Sequence, residues 1–141
     1  MPGGVPTNQT VSIFSGELVS LSSFQGSPSS MVALSNPGGT RYFVIAGSGS
    51  STVTVLDGTS YSVLQRFDLL NNGTAGAVTA DGRRLLVTAG NLFIFDITGG
   101  GVTVPNPVPV NVGSSPIDVA VSQDSSRAFV LSPADQRLVA V

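Results

Sequence analysis

Apolar and polar positions fall into short runs with a period of two, broken every few residues by Gly, Pro, Asn, Asp or Ser. That is the pattern of β-strands joined by tight turns. The clearest landmark is an Arg that opens an apolar run. It recurs as Arg41-Tyr42-Phe43-Val44, Arg84-Leu85-Leu86-Val87 and Arg127-Ala128-Phe129-Val130, every 43 residues. Ahead of each stands another short apolar run ending at Ser or Thr: Val32-Ala33-Leu34-Ser35, Ala77-Val78-Thr79 and Val119-Ala120-Val121-Ser122. The connections are Asn36-Pro37-Gly38-Gly39-Thr40, Ala80-Asp81-Gly82-Arg83 and Gln123-Asp124-Ser125-Ser126. Pro-Gly and Asp-Gly favour turns because Gly reaches positive φ without a Cβ clash. The first turn reads as one residue longer than the others.

After each anchor an alternating segment follows. Thr52-Val53-Thr54-Val55-Leu56-Asp57 matches Asn91-Leu92-Phe93-Ile94-Phe95-Asp96, and Gln136-Arg137-Leu138-Val139-Ala140-Val141 matches both. Thr10-Val11-Ser12-Ile13-Phe14-Ser15 is a further copy. A fourth kind of strand is expected at residues 17–24, 61–69 and 102–110. The last contains Pro105, Pro107 and Pro109. Proline cannot donate to a ladder, so that strand belongs on a sheet edge. Each unit is therefore four strands, A to D, and no window shows helical periodicity with caps. The fold class is all-β.

These units resemble the YVTN-type β-propeller repeats, relatives of the NHL and lactonase-like propellers. The resemblance rests on Pro116 to Ser122 followed by Arg127 to Val130, on Ala80-Asp81-Gly82-Arg83-Arg84 with Leu85 to Val87, and on Asn36-Pro37-Gly38-Gly39 with Arg41 to Val44. It covers residues 7–141. WD-type repeats fit less well, since the chain has no Trp. The resemblance implies that strand A lines a central channel and strand D is outermost. The D–A and B–C loops then share the rim where propellers bind their partners.

The expected architecture is a partial β-propeller of about three four-stranded antiparallel blades, two complete and two partial. Residues 1–6 form a tail and 7–25 the C and D strands of a partial blade. Complete blades occupy 26–70 and 71–111, and 112–141 supply strands A to C of a last blade. Propellers close with about four to eight blades. The missing blades are therefore expected from a longer chain or from a second copy of this one, the latter giving a homodimeric six-bladed ring.

Composition narrows the chemistry. The chain of 141 residues is 41% apolar and 10% charged, with a net charge of −2 and six basic residues, all Arg. Such a balance gives no electrostatic footprint for nucleic acid. No run approaches the length of a membrane-spanning helix, and the N-terminus lacks the basic and apolar regions of a signal peptide. The low charge and the Ser, Thr and Gly bias suit an extracytoplasmic or secreted protein, and the repeat type suggests a bacterial one. With neither Cys nor His, thiolate chemistry and the commonest general base and metal ligand are absent.

No catalytic, cofactor-binding or metal-binding constellation follows. Ser is abundant, but no His stands ready to activate it. Gly47-Ser48-Gly49 lacks the third Gly and the helix of a dinucleotide fingerprint. The repeated Arg41, Arg84 and Arg127 are expected to pair with a nearby carboxylate or cap a turn. Asp57 and Asp96 are expected to bond the turn after strand C. Asn8-Gln9-Thr10 and Asn72-Gly73-Thr74 are formal glycosylation sequons. The residues proposed for ligand contact at the rim or channel are Asp118, Asn72, Asn91 and Asp135. Asp118 stands at the start of a strand A, and the other units have Ser30 or Ala75 near that place. The expected function is a non-catalytic scaffold or binding module, its partner a protein or polar ligand at the rim. The alternative is part of a lactonase-like propeller enzyme whose active-site residues lie outside this chain.

Overall fold

The computed structural model describes residues 30–48, 50–69, 71–99, 101–102 and 110–141. The expected tail at 1–6, the partial blade at 7–25 and most of the Pro-rich strand lie outside these residues. The described part consists of three antiparallel sheets. The first is β1 (Ser30–Ser35), β2 (Arg41–Ser48), β3 (Ser50–Asp57) and β4 (Val63–Leu69), paired in that order. The second is β5 (Ala75–Val78), β6 (Arg84–Thr88), β7 (Leu92–Thr98) and β8 (Gly101–Val102). The third is β9 (Asp118–Val121), β10 (Ala128–Ser132) and β11 (Arg137–Ala140). The expected strand at 102–110 is seen at its two ends: Val102 pairs with Ile97, and Val110 bridges to Leu92.

Burial follows the pleat. In β2, Phe43 and Ile45 point to one face and Val44 and Ala46 to the other, and all four are buried. In β6, Leu85 and Val87 alternate with Leu86 and Thr88, and again both sets are buried. β6 is apolar on both faces because the first sheet covers one and the third sheet the other. The first interface unites Phe43, Ile45, Val53 and Val55 with Leu85, Val87, Ala89 and Phe95. The second unites Leu86 and Leu92 with Val119, Ala128 and Val130. Each fully buried Val, Leu or Phe stabilises by about 1.5–3 kcal/mol.

The inner strands β1, β5 and β9 adjoin from sheet to sheet. Gly76 in β5 lies tight against the first sheet: a Cβ there would lie 2.7 Å from Leu34 Cδ1 and 3.0 Å from Ile45 Cδ1. Farther out, the Gln65 side chain locks two sheets together. Its amide donates to the Val102 carbonyl at 3.0 Å and accepts from the Val102 N–H at 2.7 Å.

One turn design joins strands A and B in every sheet. Asn36, Thr79 and Ser122 donate their backbone N–H to the carbonyls of Arg41, Arg84 and Arg127, at 3.2, 2.9 and 2.9 Å. Each Arg N–H donates back to the side-chain oxygen, at 2.9, 3.0 and 3.0 Å. The residues at positive φ are also equivalent: Gly39 (67°), Gly82 (72°) and Ser125 (61°). The first turn is therefore not longer than the others. An amide Oδ1 at Asn36 fills the place of a hydroxyl, so Asn36, not Ser35, is the counterpart of Thr79 and Ser122.

The strand register corrects a second alignment. Asp118 faces Leu131 and Ala75 faces Thr88, while Ile45, the counterpart of Thr88 and Leu131, faces Val32. The position thus holds Val32, Ala75 and Asp118, and Ser30 is not part of it. Arg41 and Arg84 open strand B opposite Asp57 and Asp96, whereas Arg127 lies one residue ahead of β10.

Candidate binding rim

The D–A and B–C connections of the second and third sheets converge on a cleft of ≈ 600 Å³. It is lined by Gly90 and Asn91 from the β6–β7 loop, Asn111, Gly113 and Ser114 from the β8–β9 connection, Asp135 from the β10–β11 loop and Arg137 at the start of β11. Local chemistry shapes each loop. At the β6–β7 corner Ala89 donates its N–H to the Asn91 carbonyl at 2.8 Å, and Gly90 adopts a φ of 75°. At the β10–β11 corner Pro133 to Asp135 make a 3-10 turn, closed by Gln136 in the left-handed region.

Asp135 is the clamp of the cleft. Its Oδ2 accepts from the Ser114 N–H at 2.5 Å and from the Ser132 hydroxyl at 3.0 Å, and its Oδ1 accepts from the Ser114 hydroxyl at 3.0 Å. The Ser114 N–H, then Ser132, the Ser114 hydroxyl and the nearby Arg137 hold this carboxyl below the usual range. Gly113 is required beneath it. A Cβ there would lie 2.5 Å from Asp135 Oδ2 and 2.6 Å from Ser132 Oγ, and its φ is 116°. Asn111 Oδ1 accepts from the Gly113 N–H at 3.1 Å.

Of the four residues proposed from sequence, Asn91 and Asp135 meet in this cleft. Asn72 is exposed on the preceding D–A connection, away from it. Asp118 is exposed at the start of β9, and its Oδ1 accepts from the N–H of Val119 at 2.9 Å. Three lining side chains were not singled out by sequence: Asn111, Ser114 and Arg137. Arg137 reads as an ordinary strand residue, and Asn111 as the end of a Pro-rich run. Both enter the cleft because loops about two dozen residues apart in sequence fold against each other. Ser114 lies in the D–A connection between β8 and β9.

Four other charged residues hold turns and sheet edges. Arg84 Nε lies 3.6 Å from Asp96 Oδ1, an exposed ion pair worth little by itself. The Arg41 guanidinium donates to the Gly99 carbonyl of the next sheet. Asp57 Oδ1 accepts from the backbone N–H of Ser60 at 2.8 Å and of Thr59 at 2.9 Å, the expected turn cap, and these bonds lower its pKa. Among the described residues no group of three or more His, Cys, Asp or Glu side chains is placed to hold a metal ion. Nor, among them, is any helix long and apolar enough to cross a membrane.

No family model matches the chain, and no curated protein sequence does. Solved structures do match. The chain is similar to a chain of hydrazine synthase from Kuenenia stuttgartiensis, with a TM-score of 0.57 and 24% identity over 70% of this chain and 27% of that one. It is also similar to the β-propeller domain of Cps50 (Swd1) from Myceliophteria thermophila, with a TM-score of 0.57 and 15% identity over 79% of this chain and 37% of that one. The stacked antiparallel sheets and these likenesses define the class: an all-β, partial β-propeller. The chain spans about a quarter to somewhat over a third of the length of these two structures.

Proposed function

We propose that this chain is a propeller scaffold that binds a polar ligand at its rim and performs no chemistry of its own. The observation that carries the reading is the cleft where Asn91, Asn111, Ser114, Asp135 and Arg137 converge. It offers a guanidinium, two amides and a hydroxyl from loops held by rigid sheets, the usual placement of recognition residues. Asp135 accepts hydrogen bonds from the Ser114 N–H and from the Ser114 and Ser132 hydroxyls. It shapes the cleft rather than serving as a base, and its lowered pKa keeps it ionised at neutral pH.

Two substitutions test this against a panel of immobilised neutral and acidic glycans. Arg137→Ala and Asn91→Ala are expected to abolish any retained binding while leaving the fold intact, since Arg137 is exposed and Asn91 only half-buried. Binding that ignores both would refute the cleft as the site. Turnover of a lactone by the purified chain would refute the non-catalytic reading and favour the lactonase-like enzyme.

A further inference from the structure

Asn72 and Gly73, in the connection between β4 and β5, form the only Asn-Gly pair in the chain. Packing demands the glycine: a Cβ there would lie 2.5 Å from Ile45 Cγ2 and 3.3 Å from Ser51 Oγ. Asn72 itself is exposed, and its carboxamide makes no hydrogen bond among the described residues. A free carboxamide thus precedes a backbone nitrogen that no side chain shields. Such a pair is primed for ring closure, the reaction that makes Asn thermolabile.

The fold holds that nitrogen back. Gly73 is buried, and its N–H donates to Ser51 Oγ at 2.6 Å. Ser51 is only 1% exposed, so water does not compete for the bond. The same two residues also tie three sheets together. Gly73 bonds Ser51 of β3 in the first sheet. Thr74 donates its N–H to the Thr88 carbonyl of β6 in the second sheet at 2.8 Å. Its hydroxyl donates to the Pro116 carbonyl, just ahead of β9 in the third, also at 2.8 Å.

We propose that Asn72 is a self-modification site gated by the hydrogen bond between Gly73 and Ser51. When that bond opens, the Gly73 nitrogen gives its proton to solvent hydroxide and attacks Asn72 Cγ. The new C–N bond closes a succinimide ring. The Cγ–Nδ2 bond breaks, and the amide nitrogen leaves as ammonia with a proton from water. One water then opens the ring at either carbonyl, leaving aspartate or isoaspartate. Nothing is oxidised or reduced. Both products place a carboxylate at the rim, but isoaspartate also puts an extra methylene into the main chain. Gly73 then no longer fits its slot against Ile45, and the bonds to Ser51, Thr88 and Pro116 cannot all be kept. The modification therefore loosens the stack where its sheets are tied.

The full chain is incubated at mildly alkaline pH, folded and in urea, and digested with trypsin. Mass spectrometry follows the peptide from Phe67 to Arg83, and fragmentation places the mass gain that marks exchange of amide for acid. Conversion at Asn72 is expected to be at least about tenfold slower in the folded chain than in urea. Ser51→Ala should speed it about fivefold with the circular dichroism spectrum unchanged. Ser51→Cys keeps the size and accepts only weakly; it should also react faster than wild type, and it decides the matter if the Ala variant unfolds. The isoaspartate form, separated by chromatography, should melt about 4 °C or more below the Asn72→Asp variant, which carries the same charge on an unaltered main chain. Equal rates in folded chain and urea, or folded Ser51 variants that react no faster than wild type, would overturn the gate. Conversion at Asn71 in place of Asn72 would overturn the site, and equal melting of the two acidic forms would overturn the loosening.

Discussion

Strands β6 and β10 occupy the same place in the repeat, yet the molecule treats them differently. In β6 the run Leu85-Leu86-Val87-Thr88 is buried on both faces. In β10 buried and exposed residues alternate strictly, Ala128, Val130 and Ser132 inside and Phe129 and Leu131 outside. Their turns and strand A registers are alike, so the difference does not arise within the sheet. It arises from what stands beside it. A propeller strand B carries apolar residues on both faces because its neighbours cover both, and a sheet with one neighbour displays what the other would hide.

The sharpest way to break this comparison is the same change at two equivalent positions. Leu86→Asp buries an unpaired carboxylate between the second and third sheets and is expected to cost more than about 4 kcal/mol. Phe129→Asp, on the open face, should cost much less, about 1 kcal/mol. Urea denaturation of both variants checks it, and equal losses would mean that the two strands share one environment. Next in size is Val87→Ala against Val130→Ala. Both side chains are fully buried, and each loss is expected near 2 kcal/mol. The Val130 variant should release only the third sheet, seen as protease cleavage confined to residues beyond 110.

Smaller effects sharpen the picture at the interface edges. Gln65→Ala removes the amide that bonds both backbone groups of Val102, itself buried, and should cost about 1–2 kcal/mol. Thermal denaturation should show the loss. Thr54→Val is expected to gain about 1 kcal/mol, because the Thr54 hydroxyl is buried without a hydrogen-bond partner. Thr88→Val should lose a similar amount, since that hydroxyl donates to the Ala75 carbonyl at 3.2 Å. Denaturant midpoints of the two variants should move in opposite directions.

The smallest effect compares two equivalent turns in acid. Asp124 has its pKa lowered to about 2, first by the Ser122 hydroxyl and then by Ser126, and Asp81 is lowered chiefly by Thr79. A carboxylate depressed in the folded state adds stability that is complete above its unfolded value. That stability is lost as pH falls through the folded one. The protein should therefore weaken between about pH 4 and about pH 2. Asp124→Asn and Asp81→Asn should each flatten that decline, Asp124→Asn the more, when melting temperature is followed against pH.

Most of the fold was legible because its determinants are local. An Arg every 43 residues, Asp81-Gly82 and the alternation of Val53 to Asp57 each announce a strand or a turn through their own sterics. Where one chemical group substituted for another the reading slipped. Asn36 does the work of Thr79 and Ser122 through an amide oxygen, which made the first turn look long. Asp118 was aligned with Ser30 rather than Val32, because only the ladder register reveals which residues face each other. The cleft was half legible. Asn91 and Asp135 sit in turns that the repeat marks as rim. Arg137 and Asn111 join them only because loops from neighbouring sheets fold together. The clamp by Asp135 reaches back to Ser114 across 21 residues, and no period points to it.

Native-state hydrogen exchange tests most directly the claim that stability follows the number of covered faces. The amides of β2 and β6 are expected to exchange slowest, and those of β10 and β11 at least about tenfold faster. Protection in β10 equal to that in β6, with the outer face still open, would contradict it.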